Sequence, residues 1–132
     1  MDFRDEIYFL TLTIIQEAGG EPFEGKLGVG FVIMNRGGSV IDIIFKPAQF
    51  SCWNTDSSTR QRIGITPDPV FKECYKAAYT AYFCLIDDPT KGATNYLNEE
   101  LTKKIRGGVL PNWFSEDKVT ARIGKHTFLR LD

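Results

Sequence analysis

The stretch Ile14-Ile15-Gln16-Glu17-Ala18-Gly19-Gly20-Glu21-Pro22-Phe23-Glu24-Gly25 decides the fold, because it holds the end of one helix, a breaker pair and the start of the next. Upstream of it Phe3, Ile7, Leu10, Ile14 and Ala18 recur at steps of three and four, which is one face of a helix. The periodicity predicts a helix over residues 5–18. Glu17 lies three positions after Ile14 and seven after Leu10, on that same apolar face. A carboxyl there is partly desolvated, which disfavours its charged form and holds its proton above the ~4.3 of a free Glu, at about 1.36 kcal/mol per pH unit. Such a carboxyl is suited to work as a general acid. The competing reading of this position is a partly exposed Glu paired with a Lys, an Arg or a backbone amide near a helix end.

Downstream, Pro22 suits the first turn of a second segment, 23–36. Its interior, Leu27 to Met34, is apolar nearly all round; periodicity allows a buried helix or a core strand, and length favours the helix. Gly28 and Gly30 would let a neighbour approach closely, and Gly37-Gly38 ends the segment. Ser39 is placed to cap a short helix through Phe45, closed before Pro47. Residues 49–66 are polar and aperiodic and read as a surface loop. From Asp68-Pro69 onward, Val70, Phe71, Cys74, Ala77, Ala78, Ala81, Tyr82 and Leu85 keep a 3.6 period until Asp87-Asp88-Pro89 stops it. A strand over 93–97 and a hairpin of 119–123 and 126–131 around Gly124-Lys125 complete the chain. The fold class is therefore α+β, mostly helical with a small antiparallel sheet, in one domain over 1–132.

The composition narrows the function. Of 132 residues 42% are hydrophobic, enough for a core of its own, and ten Phe, five Tyr and two Trp exceed what the interior of so short a chain requires. A net charge of −1 without a basic stripe argues against nucleic acid. The longest apolar run, around Val29 to Met34, is far short of the ~20 residues of a membrane span, and the acidic start Asp2, Asp5, Glu6 is unlike a secretory signal. Three cysteines, Cys52, Cys74 and Cys84, with a lone histidine, His126, support free thiols rather than a metal site. We expect no cofactor and a monomer that neither binds nucleic acid nor inserts into a membrane.

Five ordered blocks, 15–25, Val32-Ile33-Met34-Asn35-Arg36, Pro47-Ala48-Gln49-Phe50-Ser51-Cys52, Asp88-Pro89-Thr90-Lys91-Gly92-Ala93-Thr94 and Arg122-Ile123-Gly124-Lys125-His126-Thr127-Phe128, resemble the SleB/CwlJ-type cell-wall hydrolases over almost the whole length. The resemblance implies a lysozyme-like fold that cuts peptidoglycan between N-acetylmuramic acid and N-acetylglucosamine, with Glu17 as the acid. It further implies the lytic transglycosylase route to 1,6-anhydro-muramic ends, and a compact phage or prophage endolysin held in the host cytoplasm before release to the wall. The chain departs from the pattern at Gly19, where the family often has Arg, and at Leu129, where an aromatic is frequent.

Chemically, glycoside cleavage needs an acid for the leaving oxygen and a group to satisfy the oxocarbenium-like carbon. A hydrolase would place a second carboxylate about 5 to 9.5 Å away, for which Glu21, Glu24 and Asp42 are candidates; a transglycosylase needs none. Glu24 is also explained by the dipole of the helix it starts, and Glu21 by capping that helix. By resemblance Gln49, Phe50 and Ser51 line the cleft, although loop packing explains them equally. Asn95, Tyr96 and Trp113 are further sugar-binding candidates, with Trp113 able to stack on a sugar or cover the core. His126 follows a turn glycine, and with Cys52 it also allows a Cys/His amidase; a non-catalytic wall-binding module is the third reading.

Overall fold

The computed structural model describes residues 2–46, 50, 53 and 64–131. Four helices come first: α1 (Phe3–Ala18), α2 (Phe23–Asn35), α3 (Val40–Ile44) and α4 (Asp68–Tyr82). They are followed by β1 (Asn95–Leu97), α5 (Glu99–Ile105), a 3-10 turn at Glu116–Lys118, β2 (Val119–Ile123) and β3 (His126–Leu129). The expected α+β class holds, mostly helical with a small antiparallel sheet. Among the described residues no helix is long and apolar enough to cross a membrane.

The main core forms where α1, α2 and α4 meet, around Leu10, Ile14, Val29, Ile33, Ala77, Ala78 and Ala81, all fully buried. Asp2 starts α1 by accepting hydrogen bonds from the amides of Arg4 (2.9 Å) and Asp5 (3.2 Å). The segment that periodicity left between helix and strand is helical, and its glycines explain why. A Cβ at Gly28 would stand 2.5 Å from the Phe128 ring, and one at Gly30 would stand 2.9 Å from the Cβ of Ala81. Gly28 thus lets the sheet, and Gly30 lets α4, rest on α2.

The sheet has the order β1-β3-β2, antiparallel throughout, with Tyr96 opposite Phe128 and Ile123 opposite His126. Every residue of the central strand β3 is buried. The hairpin turn falls at Gly124-Lys125 as the sequence indicates, with Gly124 at φ +57°.

Two details differ from the sequence reading. The helix α4 ends at Tyr82 instead of continuing to the Asp87-Asp88-Pro89 stop, because Cys84 turns left-handed (φ +50°) and the Leu85 amide bonds back to the carbonyl of Thr80 at 3.0 Å. Leu85 is therefore exposed. The helix α5 is absent from the sequence reading because none of its seven residues is buried and no apolar stripe marks it; its signals were the Asn98 cap, Glu99-Glu100 in the first turn and Lys103-Lys104 in the last.

The Asp88 loop ties the helices to the sheet. Asp88 Oδ1 accepts from the amide and hydroxyl of Thr90, and Oδ2 from the amide of Gly92 and from Asn35 Nδ2 at 2.8 Å. Asn35 Nδ2 also reaches the Ala93 carbonyl at 2.9 Å, and Arg36 Nε reaches the Thr94 carbonyl at 2.7 Å. Two of the sequence blocks, 32–36 and 88–94, are thus one cross-link between the end of α2 and the start of β1.

Two stability measurements follow from this packing. Gly28→Ala gains about 1 kcal/mol in helix propensity but forces a methyl against the Phe128 ring, an overpacking that costs roughly 1–3 kcal/mol, so chemical denaturation is expected to show a net loss. For Asp88, burial pushes the carboxyl up, yet the bonds from Asn35, Thr90 and Gly92 outweigh it and hold the group below its ordinary 3.8. A depressed folded-state value means that the contribution is complete above that pH and is lost as pH falls through the folded value. Asp88→Asn should therefore lower the thermal midpoint at neutral pH, with the gap to the wild type closing below about pH 3.8.

Candidate active site

Glu17 occupies the last turn of α1, one residue before the buried Ala18 and one after Gln16, which is 4% exposed. Its neighbours on the stripe are buried, while it is only half-buried, because the helix ends there and Gly19 and Gly20 contribute no side chains to cover it. It opens onto a cleft of about 210 Å³ whose other walls include Glu21, Lys125 and His126. The carboxyl thus stands at the margin of the core beside an open cleft.

The carboxyl is held from the sheet. Tyr96 donates its hydroxyl to Glu17 Oε1 at 2.6 Å, joining β1 to the end of α1. The Tyr96 ring is in turn fixed by edge-on contact with the His126 ring at 4.9 Å and tilted contact with Phe128 at 5.9 Å. His126 is 8% exposed, and burial pushes its imidazole below the ordinary value while the Glu21 carboxylate partly opposes this. The ring is neutral at neutral pH, with Nδ1 3.5 Å from Glu21 Oε1.

Glu21 shares the cleft with Glu17, yet its Oε1 accepts the backbone amide of Lys125 at 2.8 Å. It clasps the β2–β3 turn rather than capping α2. The turn must be glycine at 124 on two counts: φ is +57°, and a Cβ would stand 3.0 Å from Glu21 Oε1. The carbonyl of Glu21 meanwhile accepts from Lys26 Nζ at 2.7 Å, and this buried lysine also pairs with Glu73 at 3.0 Å. The segment between α1 and α2 is therefore anchored on both sides.

The remaining candidates divide. Tyr96 and His126 stand with Glu17. Glu24 and Asp42 do not: both are exposed, in the first turns of α2 and α3, and neither lines the Glu17 cleft, so the helix dipole accounts for Glu24. Phe50 is 2% exposed in the main core, with the Arg36 guanidinium 5.0 Å over its ring, and it forms no cleft wall. Gln49, Ser51 and Cys52 lie outside the described residues. Asn95 lines a larger cavity of about 430 Å³ at the other end of β1, whose described walls carry Arg36 and Lys46 and no acid. The smaller cleft is the one with carboxyls in its walls, Glu17 and Glu21. Trp113 is 40% exposed and borders neither cavity.

The thiols offer nothing to His126 among the described residues: Cys84 is exposed beyond α4, and the Cys74 thiol is pushed up to about 11 by burial. Nor is any group of three or more His, Cys, Asp or Glu there placed to hold a metal ion. The clasp by Glu21 and the cleft positions of Asn98 and Lys125 had no sequence signal, since they depend on where the hairpin lands against α1.

The helical layer and the three-stranded sheet are those of a known class of catalytic domain. The structure superposes on the catalytic domain of the germination-specific lytic transglycosylase SleB of Bacillus anthracis with a TM-score of 0.72 at 25% identity, covering 98% of this chain and 97% of that one. The catalytic domain of Bacillus cereus SleB gives 0.71 at 26%, over 96% and 91%. The chain belongs to the Cell Wall Hydrolase family, whose model matches residues 20–129. Spore cortex-lytic enzymes of Halalkalibacterium halodurans (28% identical over 94% of this chain) and Bacillus subtilis (27% over 95%) are similar, and the chain spans only 34% and 37% of their lengths.

A carboxyl that serves as an acid is neutral, a neutral hydrogen bond contributes about 0.5–1.5 kcal/mol, and each 1.36 kcal/mol is about tenfold in rate. Tyr96→Phe is therefore expected to slow wall lysis about 2- to 10-fold and to lower the thermal midpoint by roughly a few degrees, read as clearing of a cell-wall suspension beside an unfolding scan.

Proposed function

We propose that this chain cleaves the β-1,4 bond between N-acetylmuramic acid and N-acetylglucosamine in peptidoglycan, with Glu17 as acid and then base, forming 1,6-anhydro-muramic ends. The observation that carries the reading is the half-buried Glu17 carboxyl, set at the mouth of an open cleft and aimed by the Tyr96 hydroxyl. The reaction begins with the Glu17 proton passing to the glycosidic oxygen as the bond to the muramic anomeric carbon breaks. The carboxylate then takes the proton of the muramic 6-hydroxyl, whose oxygen closes on the anomeric carbon, and the product leaves as the anhydro sugar. Glu17 is returned protonated and no water is consumed. The likeness to the catalytic domain of Bacillus anthracis SleB, a germination-specific lytic transglycosylase, supports the same route. The reading treats residues 1–132 as one catalytic unit acting on the glycan strand.

Glu21 favours this route over hydrolysis. It is the other carboxyl of the cleft among the described residues, and its Oε1 is committed to the Lys125 amide. A muramidase would need that carboxylate to activate water or to bond to carbon. The two outcomes differ in their products, anhydro-muramic ends against free reducing ends.

Glu17→Gln keeps the acceptor for Tyr96 but has no proton to give, and muropeptide analysis after digestion is expected to show no glycan cleavage with the fold intact. Retained cleavage would sink the assignment, whereas reducing muramic ends from the wild type would make it a muramidase. An acid that must donate also makes the wild-type rate fall with rising pH.

A further inference from the structure

We propose that the cleft continues past Glu17 into a second, basic arm walled by α5, and that this arm takes the anionic peptide stem borne by the muramic residues of the glycan. The inference rests on the glycosidase reading above. A hollow of about 250 Å³ lies alongside the Glu17 cleft, and the two share Asn98 and Lys125 as walls, so they adjoin. Its far side is built by Glu100, Leu101 and Lys104 of α5.

The helix α5 contributes nothing to the core: none of its residues is buried, and Leu101 is 51% exposed. It is nevertheless held in place. The carboxylate of Glu99 accepts from the Thr127 hydroxyl and from Arg122 Nε, Arg122 also reaches Glu116 at 2.7 Å, and Asn98 Oδ1 accepts the Leu101 amide at 2.9 Å. A helix fixed by its first turn and left bare along its side is a wall without a filling.

Charge changes from one hollow to the next. Lys125 borders both: on one side it stands with the carboxyls of Glu17 and Glu21, and on the α5 side it joins the Lys104 ammonium against the single carboxyl of Glu100. Glu100 and Lys104 are one helical turn apart, yet neither lysine forms an ion pair with a described residue. The dipole of α5 accounts for a lysine at its C-terminal end, but Lys125 comes from the β2–β3 turn and borders the same hollow. The N-acetylated sugars of the strand are neutral, and its carboxylates reside on the stem attached through the lactyl ether. A strand that seats its glycosidic oxygen at Glu17 therefore offers the basic arm one partner of opposite charge.

Exposed ion pairs are individually weak, so the expected effects are modest and sensitive to salt. Soluble glycan strands bearing stems are compared with the same strands after an amidase has removed them. The wild type should show a KM several-fold lower for the stem-bearing strands, and 0.5 M salt should erase the difference. Lys104→Glu and Lys125→Gln should each raise the ratio of the two KM values toward one, by about three- to tenfold, with kcat on either substrate in a fixed proportion to the wild type. Equal wild-type KM values for the two substrates, or variants that shift both KM values equally, would overturn the proposal. Failure of the folded wild type to cut either strand is a different result: it removes the glycosidase reading itself, and this arm with it.

Discussion

The ring of Phe128 lies directly against the backbone of α2 at Gly28, and this close approach sets the distance between the sheet and the helices. Phe128 is the middle of β3, fully buried, and opposite it on β1 stands Tyr96. Had the strand been held off by one methyl, the Tyr96 hydroxyl would no longer reach Glu17 at 2.6 Å. The cleft is thus a by-product of how tightly a small sheet can rest on a helix, which accords with the low tolerance of packed interiors for added volume.

Around that approach the sheet is secured at its corners by polar groups. The Asp88 loop fastens the beginning of β1 to the end of α2, and Glu21 fastens the β2–β3 turn to the segment after α1. The Glu99 carboxylate fastens α5 to β3 through Thr127 and to β2 through Arg122. The Asp88 and Glu99 carboxylates each accept two or more donors and that of Glu21 accepts one, and a charged acceptor makes a stronger bond than a neutral one. These three acids are accordingly structural, and Glu17 differs from Glu21, the other carboxyl on the cleft, in being held by a side-chain hydroxyl and not by the backbone of the hairpin turn.

The helices were legible in the sequence because burial writes a period into it. The stripe Phe3, Ile7, Leu10, Ile14, Ala18 fixed α1 to within two residues, and the Gly-X turn located the hairpin. What the sequence carried less well was everything set by long-range contact. The apolar stripe sets Glu17 apart from Glu24 in the sequence, but the Tyr96 hydroxyl that holds its carboxyl is placed only by the landing of β1 and β3 against α1. Phe50 reads equally well as a sugar platform or as core, and the answer depended on Arg36 covering its face. The helix α5 escaped notice because a helix that buries nothing has no reason to show a period.

The pair Gly19-Gly20 gives the cleft a bare lip. A Cβ at Gly19 would stand 2.5 Å from the Ile15 carbonyl, so the tight backbone there leaves no room for a side chain, and at Gly20 no atom lies within 4 Å of where one would be. A lip made of main chain alone offers an occupant amides, carbonyls and a fixed width. Whatever selectivity the cleft exercises must then be applied from the opposite bank, where the side chains of Lys125 and His126 stand.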